Sequence, residues 1–151
     1  MKLIITCVVF ILGTSFTTSK LSLDDIRRNY QLAVDDKSVC RNMINALENN
    51  TQDNVQLAYR GAFQTIWAHH TYNPVSKFNT FNAGKDNIEK AVALSPYNVE
   101  IIFIRYSIQK NIPSFLGYKS NMQSDRIFLQ NNLNNITSAE LKKMVVAILT
   151  N

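Results

Sequence analysis

The chain has two histidines, and they are neighbours, His69 and His70. Adjacent helical side chains point about 100° apart, so the pair cannot close on one metal ion as histidines four residues apart can. The sequence contains no Cys-x-x-Cys, no acid-rich loop, no glycine loop that would cradle a phosphate and no Gly-x-Ser-x-Gly elbow. No metal, cofactor or catalytic residue is therefore assigned. Cys40 with a histidine brought near it in space would be one nucleophile, but no local pattern supports it. Cys40 lies among apolar helical positions and reads as a small buried hydrophobe. Helical folds can assemble sites from distant residues, so a small enzyme stays open as the alternative to a non-enzymatic binding protein.

Arg105 stands out because it interrupts "VEIIFIRYSIQ", residues 99–109, a segment apolar on nearly every face. A charge in such a helix needs a partner. One reading is a structural ion pair with Asp86, Glu89 or Asp125. The other is an anion or carboxylate anchor beside Glu100, Phe103 and Trp67. The structural pair is the commoner cause of such a residue. The loop "IPSFLGY", residues 112–118, carries unusually large side chains. Phe115 and Tyr118 read either as a lid over the core or as a binding lip. The candidate binding residues are thus Trp67, Glu100, Phe103, Arg105, Phe115 and Tyr118.

These residues need a scaffold, and composition favours helices. Only four glycines and three prolines occur in 151 residues, too few for the turns of a β-sandwich or barrel. The apolar share of 46% is enough for a core, and the length suits one domain. The first residues differ from the rest. Met1-Lys2 is basic, Leu3–Leu12 is almost wholly apolar, and residues 13–19 are small and polar. This order matches a secretory signal peptide, with Thr17 and Ser19 at the −3 and −1 positions of a cut after Ser19. Ten apolar residues are short of the roughly 17–25 that span a bilayer, so no membrane anchor is expected after cleavage. Residues 20–151 then form a single helical domain, exported to the periplasm or secreted.

Loss of Lys2 would lower the net charge from +5 to +4. The basic residues alternate with acids and form no stripe, which argues against nucleic-acid binding. Cys40 would be the one cysteine left, so no internal disulfide can form. Asn49 and Asn135 head Asn-x-Thr triplets, acceptors only on a eukaryotic secretory route.

Seven periodic segments follow. Leu23–Val34 has Ser22 as N-cap and a stripe of Leu23, Ile26, Tyr30 and Ala33 or Val34. Residues 37–49 carry Val39, Cys40, Met43, Ile44 and Leu47 on one face. Residues 49–52 form a loop, and residues 53–70 a third helix. Asn73-Pro74 is a cap followed by proline at N1. The fourth helix turns Phe78, Phe81, Ile88, Ala91 and Val92 inward. Gly84 lies within it, where glycine costs about 1 kcal/mol against alanine. Close approach of a neighbouring helix, or a kink, would explain it. Asn98 caps the fifth helix. The sixth spans about 121–133, with Met122, Ile127, Phe128 and, as a fourth candidate, Leu129 inward. Thr137 and Glu140 suggest a capping box before the seventh.

In "AVALSPYNVE", residues 91–100, one helical run stops and the next starts at once. With Ala91 five positions before Pro96, this resembles the tetratricopeptide-repeat class, in which a small residue and a terminating proline let helical hairpins stack. Gly61-Ala62, Gly84 and Ile88 fit its small and bulky positions. The resemblance covers about residues 54–109 and is clear at 84–100. The spacing from Gly61 to Gly84 is about ten residues longer than a standard repeat. The segment from "FNAGKDNIEKAV" to "SFLGY" also resembles a group of short, exported, uncharacterised bacterial proteins. Together these imply stacked helical hairpins. They also imply an exported, non-enzymatic interaction module of the cell envelope that binds a peptide or partner protein in a helical groove. A small-ligand or enzyme site around Arg105 is the alternative.

Overall fold

The computed structural model describes residues 21–50 and 53–150. The leader expected over residues 1–19 lies outside them, as do residues 51–52 of the expected loop. The fold is all-α. Its seven helices are α1 (Leu23–Leu32), α2 (Lys37–Asn50), α3 (Asn54–His69), α4 (Pro74–Leu94), α5 (Val99–Asn111), α6 (Met122–Asn132) and α7 (Ala139–Thr150). Short 3-10 turns occupy Ser114–Leu116 and Leu133–Asn135. No helix among the described residues is long and apolar enough to cross a membrane.

Side-chain caps set most helix starts. Ser22, Asp53, Asn73 and Asn98 each accept a backbone N–H from the first turn that follows, satisfying donors the helix itself cannot. The seventh helix departs from expectation. Its cap is Ser138, whose Oγ accepts from the Leu141 N–H at 3.3 Å and whose carbonyl accepts from Lys142 at 2.9 Å. Ile136 is buried and Thr137 is exposed, which takes the threonine out of the capping position. Glu140 consequently sits one place too early for a capping box. It accepts instead from Gln31 Nε2 of α1 at 3.2 Å.

The α3–α4 hairpin is the tightest contact. A Cβ built on Gly61 would lie 2.5 Å from the Gly84 carbonyl oxygen, and one on Gly84 would lie 2.5 Å from that of Gly61. The two backbones therefore touch, which accounts for a glycine inside α4. At its far end the Ser95 N–H bonds back to Ala91 and Val92, and Asn98 opens α5 at once. That abrupt turn lays α5 against both α3 and α4.

Helix α5 is the axis of the molecule. Every residue from Glu100 to Gln109 is buried, because α1, α3, α4, α6 and α7 surround it. Of Ala33 and Val34, the alternatives for the end of the α1 stripe, Ala33 is the buried one and Val34 is exposed. Two residues expected inward are not. Phe78 is exposed because residues 72–79 at the start of α4 have no covering helix. Ile127 is exposed because α6 turns Asp125 and Leu129 toward α5, four residues apart on one face, and the residue between them points away.

The ends of α1, α3, α5 and α7 gather at one end of the bundle, the upper end. His70 Nε2 donates to the Ala33 carbonyl at 2.8 Å, tying α3 to α1. Lys110 Nζ donates to the Ile148 carbonyl at 2.7 Å, tying α5 to α7.

Candidate functional site

Two buried ionic clusters hold α5 from opposite sides. Arg105 forks onto Asp125, with Nε to Oδ2 and Nη2 to Oδ1 both at 2.7 Å. Its remaining Nη1 reaches Glu89 Oε2 at 3.3 Å, and Tyr118 OH donates to Glu89 Oε1 at 2.5 Å. Burial works against the Arg105 charge, but the Asp125 bonds outweigh it and hold the guanidinium protonated. Asp86, the third acid considered as a partner, is exposed.

The second cluster repeats this plan with the signs exchanged. Here α5 supplies the acid. Arg27 of α1 forks onto Glu100 through Nε and Nη2, both at 2.8 Å, and its Nη1 reaches Asp24 at 2.6 Å. Tyr59 OH donates to Glu100 Oε1 at 2.8 Å. Burial and the Glu100 charge push the Tyr59 phenol well above its ordinary range. In both clusters the bidentate geometry consumes the planar donor face of the arginine.

The six residues proposed from sequence do not converge. Glu100 and Arg105 are committed to these two separate clusters. Tyr118 is buried over Glu89 and meets Phe81 edge-on at 6.4 Å, so it closes the Arg105 cluster. Phe115 is 86% exposed. Trp67 lies under two cations of α2, Arg41 at 4.1 Å and Lys37 at 5.2 Å from the ring centre. Phe103 is buried edge-on to Tyr30 and lines a cavity. His70 is spent on Ala33, away from Arg105. Cys40 is fully buried, donates to the Phe63 carbonyl at 3.3 Å, and burial pushes its thiol up to about 12. No group of three or more metal-ligating side chains occurs among the described residues.

The cavity beside Phe103 belongs to a cleft the sequence did not reveal. Tyr30 and Ser107 meet at 2.5 Å, and a cavity lies on either side of them, about 270 Å³ and about 390 Å³. The first opens between α1, α5 and α7, with Phe103, Met144 and Ile148 as walls. The second opens between α1, α3 and α5, with Ile66, Ile108 and Ile112. Val34 and Asn111 line both, so the two lobes share a rim at the upper end. No carboxylate lines either lobe; the ionisable groups are Tyr30, Lys143 and His69.

The floor has a fixed polarity. Ser107 Oγ donates to the Ile104 carbonyl at 2.9 Å, so the Tyr30 hydroxyl is the donor to Ser107. Burial raises the Tyr30 phenol to about 12, which keeps it neutral. Neither hydroxyl bonds a histidine or a carboxylate, so Ser107 lacks the base that a nucleophile needs. The cleft suits binding of apolar groups beside a few neutral hydrogen-bonding partners.

Two of these residues had signals in the sequence. Arg27 falls between Ile26 and Tyr30 on the apolar stripe of α1, four residues after Leu23, so its burial followed from the same spacing. Ser107 is the one small polar residue in the apolar run of α5. No protein-family model matches the chain, and no curated protein or solved structure is similar to it.

Proposed function

We propose that the chain is an exported, non-enzymatic interaction module of the cell envelope that takes apolar side chains of a peptide or partner protein in the Tyr30–Ser107 cleft. One observation carries this reading: a two-lobed apolar cleft with a neutral hydroxyl floor and no carboxylate, on a scaffold whose buried arginines are both consumed internally. Each lobe is at or near the small end of ligand pockets, roughly 300–1,000 Å³, and has room for about one or two side chains. Tyr30 separates the lobes, which suits two anchors on one extended segment. Asn111 on the shared rim donates Nδ2 to the Ser107 carbonyl at 2.8 Å, which leaves its Oδ1 to accept from a backbone N–H. The stacking of α5 on the α3–α4 hairpin supports the tetratricopeptide-like reading. Contact of α7 with α1 and α5 narrows the groove of such a stack to this cleft.

The test is selection of peptides from a random display library on the parent and on Ala147→Trp, which fills the first lobe from its exposed rim. Peptides enriched in apolar pairs should bind the parent and lose at least about tenfold on the variant, at unchanged circular dichroism. Equal binding to both proteins, or no enrichment on the parent, would remove the cleft as the binding site.

A further inference from the structure

Ten large apolar side chains are exposed among the described residues, and six of them stand at the upper end: Leu32, Val34, Tyr72, Val75, Phe78 and Phe115. Tyr72 is 97% exposed. The six come from three segments: the end of α1, the α3–α4 turn with the start of α4, and the loop after α5. Cations lie among them. Lys37 opens α2 beside the end of α3, Lys77 sits between Val75 and Phe78, and Lys119 follows the aromatic loop. Acids are scarce at this end. Asp35 and Asp36 occupy the α1–α2 turn, and Asp36 is used in capping α2. No acid occurs from residue 54 to residue 85.

We infer that the upper end docks reversibly on an anionic lipid surface. Aromatic and aliphatic tips would enter the boundary between headgroups and acyl chains, and the lysines would meet lipid phosphates. Aromatic residues with a polar or cationic neighbour suit that boundary, where one end of the ring is dry and the other wet. The charge balance argues against a second copy, because pairing this face with itself would set lysine against lysine. The apolar tips are also separate protrusions interrupted by charges. A fluid headgroup layer accommodates that relief more readily than a preformed protein surface. This face shares Val34 with the rim of the Tyr30–Ser107 cleft, and the variants below leave Val34 unchanged.

Co-sedimentation of residues 20–151, the chain without its expected apolar leader, with phosphatidylcholine vesicles, with and without phosphatidylglycerol, tests it. Tyr72→Ser/Phe78→Ser/Phe115→Ser changes the upper end, and Leu94→Ser/Tyr97→Ser changes exposed apolar residues at the opposite end. All five positions are exposed, so both variants should keep the parent melting temperature. The charge variant Lys77→Gln/Lys119→Gln gives an independent route if the serine variant does not fold. The parent should bind the phosphatidylglycerol vesicles and weaken with added salt. The upper-end serine variant should lose at least about tenfold and the opposite-end variant nothing. Equal binding by parent, upper-end and charge variants overturns the inference, as does a parent that binds neither vesicle. A parent dimer that the upper-end variant abolishes, without vesicle binding, assigns the face to a second copy and also overturns it.

Discussion

Arg105 and Asp125 face each other through two parallel bonds of 2.7 Å, and both side chains are more than nine-tenths buried. This is the geometry in which an ion pair is held most firmly and in which losing one partner does most harm. Five residues earlier on the same helix, Glu100 makes the complementary fork with Arg27. Helix α5 is thus bound through a cation on one side and an anion on the other.

Arg105→Ala should destabilise the protein by about 3–5 kcal/mol, because it strands a buried Asp125 without its counter-charge. Arg105→Met keeps the aliphatic stem and should lose somewhat less. Arg105→Met combined with Asp125→Asn should recover much of the loss, since the charge that remains, Glu89, is partly exposed and keeps the Tyr118 hydroxyl as donor. Urea denaturation of the two single variants and the double variant measures this. A change below about 1 kcal/mol for Arg105→Ala would reject a structural role for the pair.

Stability should be insensitive to tyrosine ionisation up to about pH 10 and fall above it. Tyr30, Tyr59 and Tyr118 are raised from an ordinary value of 10.0, chiefly by burial, and Tyr30 reaches about 12. Below the unfolded value all three are protonated in both states, so they add no pH dependence. Above it the folded state holds more protons than the unfolded one, and stability is lost as pH rises through the folded values. An alkaline titration followed by circular dichroism and by the rise in absorbance that phenolate adds at about 295 nm checks this. These three phenols should ionise together with the loss of helix. Ionisation of all six tyrosines with helicity intact would contradict it.

Gly84→Ala should destabilise despite alanine's higher helix propensity. The propensity gain is about 1 kcal/mol, and overpacking typically costs about 1–3 kcal/mol. The new Cβ would meet the Gly61 carbonyl oxygen at 2.5 Å and the Thr65 side chain at 2.8 Å. A backbone carbonyl cannot rotate aside, so the clash is relieved only by parting α3 from α4. Gly61→Ala should behave alike. A raised melting temperature in either variant would show that the helices separate freely.

Local signals carried most of the fold. Caps at Ser22, Asn73 and Asn98 are read from residue types next to the segments they start, and the glycine in α4 announced a close neighbour. The α7 start was not legible, because two adjacent residues, Thr137 and Ser138, could both cap and burial of Ile136 decided between them. On α6 the sequence offered Leu129 as inward and Asp125 as a partner of Arg105, but it also turned Ile127 inward, and the Arg105–Asp125 fork leaves that residue on the exposed side. Sequence reasoning named the acids near Arg105 but not Arg27, since Glu100 was read as a ligand contact and not as half of a pair. The cleft was invisible for a different reason. It is made by four helices that contribute Tyr30, Ile66, Ser107 and Met144 from distant parts of the chain, and no spacing in one helix encodes it.

The Arg27–Glu100 fork joins residues 73 positions apart. A chain emerging in order from its N-terminus exposes Arg27 long before its carboxylate has been made. Until then α1 lacks both its charge partner and the Phe103 and Ser107 side chains that Tyr30 meets, and so short a helix is marginal alone. Completion of the N-terminal part must wait for more than half of the chain. Helix α1 therefore packs early on α2 and α3 but gains its ionic partner only through a contact of high sequence separation, the kind that slows folding.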